Sequence, residues 1–143
     1  LYLSTADGRE VVKILDFGIA AFRASDRAIT QPSYLMGTPH YMSPEQIQAP
    51  GSVDARSDLF SLAVVAYEML TGRLPFDAPS LPDLLICITQ PGYPVPPPSQ
   101  YVPESTQGDI ASKLDRFFRK ALAREPSERF QSAREFSAAL SHA

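Results

Sequence analysis

Asp58-Leu59-Phe60-Ser61-Leu62-Ala63-Val64-Val65-Ala66-Tyr67-Glu68-Met69-Leu70 is the stretch that decides the architecture of this chain. Apolar or aromatic side chains recur there on every side of a helix. A helix without a polar face has to be covered all round, so residues 58–70 are expected to form a buried central helix. Ser57 or Asp58 can cap its start, and Thr71-Gly72 followed by Pro75 ends it. The helices that follow are expected to pack onto it.

Downstream, Pro82 suits the first turn of a short helix through Leu84, Leu85, Ile86 and Ile88, where its missing N–H costs little. Cys87, between two isoleucines, reads as a small hydrophobe. Six of the chain's 14 prolines fall between Pro91 and Pro103, which forbids helix or inner strand. Residues 91–103 are expected to form an ordered polyproline-like connector, with a docking motif for a partner as the alternative. From Asp109 onward, Ile110, Leu114, Phe117, Phe118, Ala121 and Leu122 share one helical face. A last helix starts at Ser132, with Glu135 completing a capping box and Phe136 and Leu140 as its buried side. Upstream, Leu1–Leu3 and Val11–Leu15 flank Asp7-Gly8, a hairpin signal. Residues 19–42 have poor periodicity and read as a long loop, a length usually tied to function or mobility.

The 143 residues amount to about one domain, and 44% hydrophobic content suits a globular chain. Net charge is −3 and pI about 5.3, with no Lys/Arg block, so no nucleic-acid partner is expected. One cysteine excludes an internal disulfide and a cysteine-rich zinc site, and fits a reducing compartment. No run approaches the ~20 apolar residues of a membrane span. Leu1-Tyr2-Leu3 has neither an initiator Met nor a basic leader, and reads as the middle of something longer.

Five motifs occur in order: Asp16-Phe17-Gly18 after the strand-like Val11–Leu15; Gly37-Thr38-Pro39-His40-Tyr41-Met42-Ser43-Pro44-Glu45; Asp54-Ala55-Arg56-Ser57-Asp58-Leu59-Phe60-Ser61; Thr71-Gly72-Arg73-Leu74-Pro75-Phe76; and Arg124-Glu125-Pro126-Ser127-Glu128-Arg129-Phe130. Together they resemble the large lobe of a eukaryotic-type Ser/Thr protein kinase, in a style close to the bacterial members, over nearly the whole chain. The resemblance implies an α+β fold in which residues 1–143 are a partial kinase domain (C-lobe), mainly helical with a short N-terminal hairpin. Residues 16–45 would be the activation segment.

By the same resemblance, Asp16 binds Mg²⁺ at the ATP phosphates, Phe17 sets its direction and Gly18 lets the chain turn away. Thr38 corresponds to the threonine that bonds the catalytic aspartate. Pro39, His40, Tyr41 and Met42 form the floor of the peptide site, with His40 a solvated loop residue and not a base. Glu45 and Arg129 form a buried salt bridge. Asp58, whose local reading is a helix cap, would also accept hydrogen bonds from the catalytic loop. Val65 and Met69 match positions under the family's hydrophobic spine, a role hard to tell from core packing. Ser33 first, and Thr30 second, are candidate phosphorylation sites whose added charge could order the loop through arginine.

The 143 residues contain no Gly-rich loop, no strand lysine with its glutamate and no His-Arg-Asp…Asn loop. Without them, one carboxylate cannot hold Mg-ATP or take the substrate's proton. Two readings stand. The chain is part of a kinase that phosphorylates Ser or Thr of protein substrates with ATP and Mg²⁺ and is itself inactive, or it is a non-catalytic binding or scaffold module. The first is preferred, because a non-catalytic protein has no need of Asp16 or Thr38. The resemblance also implies that the catalytic loop and the helix before it cover part of the central helix. Without them the isolated chain is expected to be poorly soluble or loosely folded. The expected location is cytoplasmic, with any membrane anchor of the parent outside these residues.

Overall fold

The computed structural model describes residues 2–6, 9–13, 39–103 and 108–143. Asp16, Phe17, Gly18, Thr30, Ser33 and Thr38 lie outside the described residues, and with them most of the expected 16–45 segment. Strands β1 (Tyr2–Ala6) and β2 (Arg9–Lys13) pair antiparallel, from Tyr2 opposite Lys13 to Ala6 opposite Arg9. That register leaves two residues between the paired ends, the length an Asp-Gly hairpin favours. Among the described residues five α-helices follow: α1 (Pro44–Gln48), α2 (Ala55–Thr71), α3 (Leu81–Thr89), α4 (Asp109–Ala121) and α5 (Ala133–Ser141).

Helix α2 starts earlier than its apolar run suggests. Asp54, in extended backbone, is the N-cap and accepts the Arg56 N–H at 2.8 Å. Neither Ser57 nor Asp58 caps the helix: Ser57 is fully buried with its hydroxyl committed elsewhere, and Asp58 is exposed in the first turn. The helix ends at Gly72, whose φ of 67° is the left-handed conformation glycine adopts without steric cost.

The expected all-round burial of 58–70 is also corrected. Phe60, Ala63, Val64 and Tyr67 are fully buried, but Leu62 is 43% and Met69 79% exposed, and Leu70 is exposed too. Asp58, Leu62, Val65 and Met69 recur at spacings of four, three and four, so they form one stripe along the helix. Only Val65 on that stripe is even half-buried. The physical reason is one-sided packing. α4 and the connector lie against the Tyr67 side, and among the described residues nothing covers the stripe.

The core centres on Phe117 of α4. Its ring meets Phe118 at 5.1 Å, Phe130 at 5.2 Å and Phe136 of α5 at 5.0 Å, mostly edge to face. Tyr67 of α2 joins through Phe118 at 5.3 Å. Leu114, Phe117, Phe118, Ala121 and Leu122 are buried as the periodicity predicts, whereas Ile110 is 50% exposed because Ala111 takes the core position of the first turn. On α5 only Phe136 reaches the aromatic cluster, and Leu140 is left exposed in the last turn. Ser132 accepts the Glu135 N–H at 3.1 Å, but Glu135 reaches back to the N–H of Gln131 rather than of Ser132, at 2.8 Å. The capping box therefore closes one residue upstream of its expected position.

In the connector, the Tyr67 hydroxyl donates to the Pro96 carbonyl at 2.9 Å. The Ser99 N–H and hydroxyl donate to Asp115 of α4 at 2.9 and 2.8 Å. Pro98 is buried between these anchors. Arg124 donates to the carbonyls of Cys87, Ile88 and Tyr93, tying the end of α3 to the start of the connector. Beside it, Cys87 is half-buried, with Ile88 buried and Ile86 exposed.

Candidate functional site

The turn before α1 is built by local chemistry. Ser43, Pro44 and Gln46 give a capped start with proline in the first helical turn. The Ser43 hydroxyl accepts the Gln46 N–H, and the Gln46 side chain accepts the Ser43 N–H at 2.8 Å. This reciprocal box fixes the exit of the preceding residues. Pro39–Tyr41 form a short 3-10 turn, and Pro39, His40, Tyr41 and Met42 are all half-buried.

Tyr41 fastens that turn to α2 at two places. Its carbonyl accepts the Ser61 hydroxyl at 2.7 Å, and its phenol donates to the Glu68 carboxylate at 2.7 Å. The hydrogen bond to Glu68, aided by burial and the carboxylate's charge, pushes the phenol above its ordinary pKa and keeps it a donor. His40 is half-buried in this turn. Its Nε2 lies 3.8 Å from Asp77 in the loop after α2.

Beneath this turn lies a buried brace. Glu45 of α1 and Arg129 meet through two 2.7 Å hydrogen bonds in the paired, bidentate geometry that suits guanidinium and carboxylate. The Ser57 hydroxyl adds a third bond to Glu45 at 2.6 Å. The remaining guanidinium hydrogens reach the carbonyls of Ala123 at 2.7 Å, Arg124 at 2.7 Å and Arg56 at 3.3 Å. All five Arg129 N–H donors are thus used, and its guanidinium lies 4.8 Å from the Phe60 ring centre. Burial pushes the Glu45 carboxyl up, but hydrogen bonds from Arg129, Ser57 and its own N–H, with the Arg129 charge, outweigh that and hold it below its usual value. The brace joins α1, the start of α2 and the 126–129 turn.

Of the residues singled out in the sequence, the structure places Glu45 and Arg129 at the start of α2 and fastens the Pro39–Met42 turn along it, from Ser61 to Glu68. Asp58, Val65 and Met69 instead share the open stripe, and Met69 is not core packing. Sequence reasoning missed the roles of Ser43, Gln46, Ser61 and Glu68, and read Ser57 as a cap and not as a partner of Glu45. Ser43-Pro44-Glu45-Gln46 carries a legible capping-box spacing. Ser57 and Ser61, hydroxyls inside an apolar helix, signal buried partners, because a buried hydroxyl has to be bonded.

Residues 3–142 match the protein kinase domain. The chain belongs to that family. It is 40% identical over 129 residues to serine/threonine-protein kinase Pkn1 of Myxococcus xanthus, covering 90% of this chain and 18% of Pkn1. Serine/threonine-protein kinase PknB of Mycobacterium tuberculosis is 41% identical over 130 residues, 90% of this chain and 20% of PknB. A third relative, pkn3 of Myxococcus xanthus, is 36% identical over 136 residues, covering 92% of this chain and 23% of pkn3. The chain spans about a fifth of the length of the curated relatives it matches.

Proposed function

We propose that these residues are the substrate-side part of a Ser/Thr protein kinase, and that the intact protein transfers the γ-phosphate of ATP to Ser or Thr of protein substrates. The observation that carries this reading is the brace. A turn that follows Asp16-Phe17-Gly18 and Gly37-Thr38 in sequence is held on α2 by Tyr41 and, through Glu45 and Arg129, on the far end of the chain. Chemistry by positioning needs such a rigid shelf, because phosphoryl transfer asks the protein mainly for alignment and charge stabilisation.

Pro39 to Met42 are the residues we assign to aligning the peptide beside the reacting hydroxyl, with Thr38 ahead of them steadying the catalytic aspartate. Asp16 is a hard oxygen donor of the kind Mg²⁺ takes, and no cluster of three or more His, Cys, Asp or Glu that could hold a metal occurs among the described residues. Bound Mg-ATP supplies the phosphoryl group and the cation that offsets its charge. Ser33 and Thr30 stand as proposed sites of regulatory phosphorylation. No helix among the described residues is long and apolar enough to cross a membrane.

The test has two arms. The reading frame ahead of Leu1 should encode His-Arg-Asp…Asn. The intact protein, given γ-labelled ATP, Mg²⁺ and a generic Ser/Thr substrate, should label it, and Asp16→Asn should abolish the label. A frame without that loop, or an intact protein that binds partners yet transfers nothing, would favour the scaffold reading. The 143-residue chain by itself is expected to transfer no phosphate.

A further inference from the structure

A groove of about 330 Å³ opens between α4 and α5, on the far side of Phe117 from α2. Phe117, Phe130 and Ala139 line it together with His142 and Ala143, its rim is basic, made by Lys113, Arg116 and Lys120, and the Lys120 ammonium lies 4.5 Å from the Phe130 ring centre. Lys113 is paired with Asp109 at 2.9 Å, and Lys120 with Glu135 at 2.7 Å. Arg116 has no hydrogen-bond or ion-pair partner among the described residues, so it is the uncommitted charge of the rim. Seven of the chain's 13 Lys and Arg fall between Lys113 and Arg134, against four of its 16 Asp and Glu between Lys113 and Ala143. The groove therefore sits in the basic end of an otherwise acidic molecule. Ile110 and Leu140, the apolar residues whose periodicity called for burial, are exposed on the same two helices at 50% and 40%.

We propose that this groove docks an acidic peptide segment of a partner protein. One apolar side chain would enter beside Ala139 and the Lys120-covered Phe130 ring, and a neighbouring carboxylate would pair with Arg116. Charge complementarity selects the occupant. A guanidinium with no donor used among the described residues offers the planar, two-pronged geometry that a carboxylate matches. Shape argues against a membrane, because the apolar surface here is concave and of side-chain size, whereas interfacial binding needs an apolar face that projects into lipid. The site lies away from the Tyr41 shelf and does not depend on the kinase reading.

The test uses the intact protein and a fluorescein-labelled pentapeptide with leucine at its centre and two aspartates on each side. Fluorescence anisotropy should show saturable binding that weakens with salt. Arg116→Glu should weaken it about tenfold, the scale of losing and then reversing one partly exposed charge contact. Ala139→Trp, which fills the groove, should abolish it, and neither variant should move the thermal midpoint by more than a few degrees. Replacing the central leucine by glycine should also abolish binding. Binding that ignores Arg116→Glu or the leucine, no saturable binding to the intact protein, or vesicles rich in phosphatidylserine competing as well as the peptide would each overturn the proposal.

Discussion

The two flanks of α2 handle their side chains in opposite ways. On one flank a full positive and a full negative charge, Arg129 and Glu45, are nearly sealed from water, with every donor used and three hydrogen bonds on the carboxylate. On the other flank leucine and methionine face outward. Ordinary burial preference would give the reverse. Charge can be buried because the brace is complete, whereas apolar surface is left open because no described element reaches it. The first flank should be very sensitive to substitution and the second much less so.

The largest effect is expected at Arg129. Arg129→Met leaves the Glu45 carboxylate buried with only Ser57 as partner, and should cost about 3–5 kcal/mol in urea unfolding. Removing both charges together, Glu45→Leu with Arg129→Met, should recover most of that loss, since a matched apolar pair leaves no orphaned charge. If the double variant is as unstable as the single one, the brace is held by packing and not by charge, and the contrast between the flanks fails.

Acid should act on the same group. Glu45 is held below its usual pKa in the folded chain, so its contribution to stability is complete above the unfolded value of ~4.3 and is lost as pH falls through the lower folded value. Urea midpoints measured from pH 7 down to pH 3 should therefore drop most steeply below about pH 4.3, and Glu45→Gln should flatten that drop.

How much of this was legible beforehand follows the range of the interactions. Local signals read well: Gly72 ends α2, proline opens α3, and Asp7-Gly8 separates two strands in the register a two-residue turn demands. The Glu45–Arg129 pair spans 84 positions and came from motif resemblance, not from any local pattern. Ser57 reads locally as a cap, and Ser61 gives no local signal because a small hydroxyl hardly disturbs an apolar helix, yet inside one both must donate to something. The open stripe divides the two kinds of reading: composition shows only that a helix can be buried on all sides, whereas the resemblance leaves part of this helix uncovered without the catalytic loop and the helix before it, as exposed Leu62 and Met69 are. Whether a helix is buried all round depends on partners that one helix's sequence does not encode.

A smaller effect is expected at Ser57. Its hydroxyl donates to a charged carboxylate that keeps both Arg129 bonds without it. Ser57→Ala should cost about 1–2 kcal/mol, less than losing Arg129 and more than losing a typical surface contact. It should also raise the Glu45 pKa toward the ordinary range, which carboxylate NMR titration would detect. A loss as large as that of Arg129→Met would mean that the hydroxyl, and not the guanidinium, anchors Glu45.

The smallest effect belongs to the stripe. In the 143-residue chain Leu62 is 43% exposed, so Leu62→Ala removes only part of a core leucine's buried area and should lower unfolding free energy by about 1 kcal/mol or less. The same substitution should reduce self-association measured by light scattering, because Leu62 and Met69 together form a continuous apolar strip. In the longer kinase proposed above, the catalytic loop and the helix before it would lie against Asp58, Leu62, Val65 and Met69. There Leu62→Ala should cost about 2–5 kcal/mol, as for a buried leucine. The difference between the two lengths isolates the covering segment, since the brace and the aromatic cluster are common to both. A cost equally small at both lengths would leave the stripe as open surface, and α2 would then be a one-sided helix in the whole protein as it is here.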